Sequence, residues 1–92
     1  MFYTYVLRGE KDGAFIVGYA DNLERRVEEQ QSGSVSSTKP HLPVALVFYE
    51  AYRNKQDAMR REQYYKTDKG MRALGTMMRE DLRQYGCVSS KR

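Results

Sequence analysis

Ninety-two residues with 40% hydrophobic and 30% charged side chains describe one globular domain with a modest core, and exclude a disordered chain. No apolar run is long enough to span a bilayer and no signal-peptide pattern follows Met1, while one His and one Cys exclude a His/Cys zinc site within a single chain. The net charge of +4 is uneven: residues 1–52 carry five Lys/Arg against seven Asp/Glu, and residues 53–92 carry eleven against five, so the second half offers either a nucleic-acid face or a solvated helix surface.

Phe2 to Arg8 alternates, with Phe2, Thr4 and Val6 facing one way and Tyr3, Tyr5 and Leu7 the other, which is the pattern of a strand. Asp12-Gly13 signals a hairpin, and Ala14 to Tyr19 returns as an antiparallel second strand. A helix is expected from about Asn22 to Gln31, capped by Asp21 with Glu24 reaching back, and stopped at Ser32-Gly33. Ser34 to Pro43 reads as a polar loop whose two prolines prevent helix. Val44 to Tyr52 is apolar on both alternating faces, as expected of a strand covered on both sides. Asn54 opens a second helix with Ala58, Met59 and Tyr65 as its apolar stripe, broken at Lys69-Gly70. A third helix is expected from Met71 to about Tyr85, with Met71, Leu74, Met78, Leu82 and Tyr85 on one side. Gly86 should end the domain, leaving Cys87–Arg92 as a frayed tail; a lone cysteine there fits a reducing, cytoplasmic setting.

Two positions carry the chemistry that the residues alone suggest. With Leu23 at 0° on the first helix, Val27 falls at about 40°, Gln30 at about 340° and Arg26 at about 300°, whereas Arg25 at about 200° faces water. Arg26 thus borders the buried stripe just beyond a strand–Gly–turn, which suits phosphate recognition, although it could simply bridge Glu29 or Gln30. Glu62 falls inside the stripe of the second helix, where a carboxylate is costly unless paired, metal-bound or at a cleft; Arg61, Lys66 and Arg26 are its candidate partners.

The order strand, strand, helix, strand, helix, helix, with these residues at these places, resembles the GIY-YIG nuclease domain. It is most similar to the small stand-alone bacterial members of UPF0213 type, related to the nuclease half of the UvrC excision-repair subunit. Tyr3-Thr4-Tyr5 falls on the first family motif and Ile16-Val17-Gly18 on the second. Asp21-Asn22-Leu23-Glu24-Arg25-Arg26 looks like the Asn/Asp-Leu-x-x-Arg helix start. Ser37-Thr38-Lys39-Pro40, Leu46 to Tyr52 and Asp57-Ala58-x-x-Arg61-Glu62 follow the pattern of the small members.

The resemblance implies an α/β fold, a three-stranded mainly antiparallel sheet flanked by three helices. It implies an endonuclease that hydrolyses DNA phosphodiesters, branched or damaged DNA included, with one divalent ion, Mg²⁺ or Mn²⁺. Arg26 would contact the scissile phosphate, Glu62 would hold the metal, and Tyr5 would position or deprotonate water. Tyr3, Gly18, Gln30, Thr38, Lys39 and Arg61 are the expected substrate contacts. Tyr5 has a core alternative, with its hydroxyl at the rim. Two positions depart from the family: its second-motif tyrosine is Ile16, and its histidine one turn after the arginine is Gln30, which hydrogen-bonds but does not titrate. Tyr19 lies three residues past Ile16, on the opposite face, and does not replace the missing phenol. A catalytically reduced nucleic-acid-binding module on the same scaffold is therefore the alternative, and a protein-interaction domain a third reading.

Overall fold

The computed structural model describes residues 1–85; Gly86 and the tail Cys87–Arg92 lie outside them. The alternating first segment forms β1 (Phe2–Gly9), and the chain returns as β2 (Phe15–Ala20). Between them Gly13 takes φ 71°, a left-handed conformation open to glycine without steric cost, and the Asp12 side chain accepts the Ala14 N–H at 3.0 Å. α1 (Leu23–Gln31) follows, then one turn of 3-10 helix at Lys39–His41, then β3 (Val44–Tyr52), α2 (Lys55–Tyr65), α3 (Asp68–Met77) and α4 (Arg79–Tyr85). The sheet order is β2-β1-β3 with both pairings antiparallel, so the expected α/β layer architecture is the one found.

Central β1 divides the core in two. Tyr5, Leu7, Ala20 and Val44 form one cluster with Ile16, Leu23, Val27 and Leu42, beneath α1 and the 3-10 turn. Val6 and Val17 join Tyr65 and Leu74 on the other face, beneath α2 and α3. On that side the buried Thr4 hydroxyl donates to the Ala58 carbonyl at 2.6 Å, tying α2 to the middle of the sheet. The β1–β3 register shifts between Val6 and Leu7, which pair with Phe48 and Leu46. The extra residue, Val47, lets two consecutive side chains, Val47 and Phe48, pack on the second cluster.

Several local expectations change. β3 is an edge strand whose Leu46 and Tyr49 are exposed, so it is not covered on both sides; its apolar run reflects one buried face and an open groove. The cap of α1 is Asn22, one residue later than Asp21, with its side chain accepting the Arg25 N–H at 3.1 Å. Proline prevents an α-helix in the loop, but Pro40 sits second in the single 3-10 turn, where a missing N–H costs nothing. On α2, Ala58 and Tyr65 are buried while Met59 is exposed.

Gly70 does not break a helix. The break is at Lys66-Thr67, where the Thr67 hydroxyl caps α3 by accepting the Gly70 N–H at 3.0 Å. Gly70 lies within α3 because a Cβ there would stand 1.9 Å from the Tyr64 carbonyl oxygen. The expected third helix is two pieces, divided at Met78. Gly75 and Thr76 are weak helix formers, and Glu80 and Asp81 favour a new start by placing negative charge at a helix N-terminus.

Candidate active site

Tyr5 and Gly18 are directly opposed across β1 and β2, and the Tyr5 ring lies over the glycine: a Cβ on Gly18 would approach the ring's Cζ and hydroxyl to 2.3 Å. The phenol is therefore laid flat across the edge strand toward α1. There Gln30, at the buried angle expected from helix periodicity, donates from Nε2 to the Tyr5 oxygen at 2.8 Å. The Thr38 hydroxyl donates to the Gln30 Oε1, which fixes the amide in that orientation. Tyr5, Gln30 and Thr38 are 1%, 3% and 0% exposed, so no bulk water competes for these bonds.

Arg26 stands at the outer end of this row. Its Nη1 donates to Glu29 Oε1 at 3.1 Å, and its side chain remains 40% exposed. Hydrogen bonding to the Tyr5 hydroxyl, ahead of Glu29, raises the guanidinium above its ordinary value, so the cation is fixed in charge. Arg25, 67% exposed, points to water as the helical angles require. The cluster thus presents one half-open guanidinium on a buried polar support. A guanidinium so placed can donate to a carboxylate or a phosphate oxygen.

The other expected residues are placed elsewhere. Gln30 and Thr38, expected as substrate contacts, are buried, and their side chains bond to Tyr5 and to each other. Lys39 begins the 3-10 turn and is exposed. Arg61 belongs to a separate cluster: its Nε donates to Glu50 Oε1 at 3.0 Å, its Nη2 to the Tyr65 hydroxyl at 2.8 Å, and it lies over the Tyr64 and Tyr65 rings. Burial alone would raise the Glu50 carboxyl, but hydrogen bonds from Arg61, Tyr52 and Tyr65 outweigh it and hold it below the usual carboxylate range. Burial, then Glu50, pushes the Tyr65 phenol well upward. A lone glutamate in the apolar β3 run was the sequence signal for this cluster.

Tyr3 meets Tyr49 edge-on, with ring centroids 6.0 Å apart, in a cleft of about 650 Å³ between α1 and β3. Asp21, Glu24 and Glu28 also line that cleft, and three carboxylates oppose a phosphate there. His41 Nδ1 lies 2.6 Å from Asp12 Oδ2, clasping the 3-10 turn to the hairpin; sequence spacing gave no sign of it.

Glu62 is on α2, across the sheet from α1, with its side chain 15% exposed and an ion pair to Lys66 at 2.9 Å. It is outside the Tyr5–Arg26 cluster. Among the described residues no three His, Cys, Asp or Glu side chains gather as a metal cage. One carboxylate fits a Mg²⁺ ion that keeps its waters and takes phosphate oxygens, and does not fit a site built wholly from protein ligands.

In this small αβ domain a flat phenol thus lies over a strand glycine, backed by a helix that offers one half-exposed arginine. The family described as the GIY-YIG catalytic domain matches residues 1–73, and the chain belongs to that nuclease family. It is 37% identical over 67 residues to a UPF0213 protein of Clostridium perfringens, covering 72% of this chain and 71% of that one. It is 41% identical over 66 residues to a UPF0213 protein of Pediococcus pentosaceus, covering 71% and 68%. Against a UPF0213 protein of Bacillus cereus the identity is 39% over 56 residues, covering 60% of this chain and 58% of the relative. No solved structure matches. No helix among the described residues is long and apolar enough to cross a membrane.

Proposed function

We propose that this protein is a slow, divalent-metal-dependent endonuclease acting on DNA in the cytoplasm. The half-exposed Arg26 guanidinium, beside a buried Tyr5 phenol that Gln30 and Thr38 hold in place, carries the reading. Hydrolysis makes a bond from water oxygen to phosphorus and breaks the bond to a sugar oxygen, and negative charge grows on the non-bridging oxygens between the two events. A guanidinium fixed in charge and place stabilises that growing charge without reorganising. Glu62 would hold the divalent ion, which when bound supplies charge neutralisation and a more acidic water. Arg26 belongs to the layer on one face and Glu62 to the layer on the other, and α2 contacts edge strand β2 directly.

The Tyr5 oxygen receives Gln30, and Ile16 supplies no second phenol. Deprotonation of water by a side chain is the step this arrangement serves least, and a low rate follows. The same two facts favour the second reading, a DNA-binding module without turnover.

Cleavage of plain, nicked and branched DNA, each with Mg²⁺ or Mn²⁺, separates the two. The nuclease reading expects metal-dependent products that vanish in Arg26→Ala and Glu62→Gln. Binding retained with no product from any substrate would establish the module instead.

A further inference from the structure

A second cleft, of about 430 Å³, lies between the end of β3 and α2, lined by Tyr52, Asp57, Arg60, Arg61 and Tyr64. Its walls are two half-buried phenol rings and a guanidinium, and each is held from behind. The Tyr52 hydroxyl donates to Glu50 Oε1 at 2.6 Å, the same carboxylate that takes Arg61 at 3.0 Å. The Arg61 guanidinium sits 5.2 Å from the Tyr64 ring centre, and Tyr64 leans on Tyr65 at 5.5 Å. Planar groups fixed in this way lose little freedom when another planar group stacks on them. Arg60 differs: its side chain is 73% exposed and bonds only at the rim, to Asp57 Oδ1 at 3.1 Å.

From this juxtaposition we propose that the Tyr52–Tyr64–Arg61 cleft is a subsite for one unpaired nucleobase, with Arg60 on the adjoining backbone phosphate. The proposal rests on the reading of the protein as acting on DNA and adds a structural preference to it. Rings and guanidinium planes stack on any base, and a base inside an intact duplex is not available to them. The Asp57 carboxylate suits a base amino group, since an ionised carboxylate only accepts hydrogen bonds. The cleft is within the usual range for a small-ligand site, and the described residues 53–85, with nine Lys/Arg against five Asp/Glu, supply a field that draws a nucleic acid toward it. DNA carrying a bulged, flapped or gapped nucleotide is then favoured over plain duplex.

The test measures binding in chelator, without cleavage, to two duplexes that differ only in a single bulged 2-aminopurine nucleotide. The wild-type protein is expected to bind the bulged duplex at least about fivefold more tightly, the lower end of what stacking on an aromatic side chain contributes. The 2-aminopurine fluorescence should be quenched on binding. Tyr64 also packs on the core below α2, so Tyr64→Leu is used to keep the apolar bulk while removing the ring. Tyr64→Leu should lose the preference, Tyr64→Phe should keep it, and Arg60→Ala should weaken both duplexes. Equal wild-type affinity for the two duplexes, or a preference that survives Tyr64→Leu, overturns the subsite and leaves the nuclease reading standing. Absence of metal-dependent products while the preference holds removes the nuclease and leaves the subsite.

Discussion

A methyl group at position 18 would stand 2.3 Å from the Tyr5 ring, a contact that no rotamer of a buried, hydrogen-bonded phenol relieves cheaply. Gly18→Ala is therefore expected to destabilise by about 1–3 kcal/mol, the range for overpacking a core, and to swing Tyr5 off Gln30. Thermal unfolding reads the first effect and the near-ultraviolet signal of the tyrosines reads the second; an unchanged melting curve would show that the ring moves aside freely. Ile16 poses the opposite problem. It faces Leu7 on the same side of the sheet as Tyr5, two pairs along from Gly18, and packs with Tyr5 in one cluster. A phenol there would stand beside Tyr5, where it could hold the attacking water. General acid–base groups contribute about 10²–10⁴-fold, so Ile16→Tyr should raise single-turnover cleavage by at least about tenfold. If wild type already cuts at a rate that Ile16→Tyr leaves unchanged, Ile16 is not the deficit. Gln30→His should do less, because it removes the amide that bridges Thr38 to Tyr5.

At the level of elements, Glu50 joins β3 to α2. Its carboxylate takes Arg61, Tyr52 and Tyr65 together and is held below the usual carboxylate range. Its folded value lies below its unfolded one, so its contribution is present above the unfolded carboxylate range and is lost as pH falls through the folded value. Unfolding by denaturant from neutral pH down past about pH 4 should show stability falling in wild type and falling less in Glu50→Gln. At neutral pH that variant should be about 1–3 kcal/mol less stable, the scale of hydrogen bonds to a charged group. Parallel slopes in the two proteins would place the acid sensitivity on other carboxylates.

Which parts of these elements the sequence revealed follows from the range of the interaction. The strands, the Asp12-Gly13 hairpin, the Gly33 stop and the buried angle of Gln30 were legible because period and turn chemistry act within a few residues. The burial of Thr38, the clasp of His41 on Asp12 and the close approach behind Gly70 were not, because each partner is distant in sequence or belongs to another helix. Arg26 was legible as a helix position; that it stands beside the Tyr5 phenol was not.

Over the whole molecule the charge is divided by layer. The cleft between α1 and β3 carries Asp21, Glu24 and Glu28, while the described residues 53–85 carry nine Lys/Arg against five Asp/Glu. A polyanion therefore meets repulsion on the α1–β3 side and attraction on the α2–α3 side, and its approach is oriented before any specific contact forms. Not every cation there is available for that purpose. Reversing Arg61 would strand Glu50 beneath the helix and confuse lost binding with lost folding. Arg60, Lys69 and Arg72 are exposed and lie outside the Glu50 cluster. Their joint reversal to glutamate should weaken DNA binding strongly while the melting temperature changes little. Each phosphate contact releases counterions, so wild-type affinity should fall steeply as salt rises, and the slope of log affinity against log salt should be shallower in the triple variant. Fluorescence anisotropy of a labelled duplex across a salt series measures both slopes. Wild-type affinity that barely changes across the series would show that the basic half is a solvated surface, and that DNA, if bound, is held by contacts that are not electrostatic.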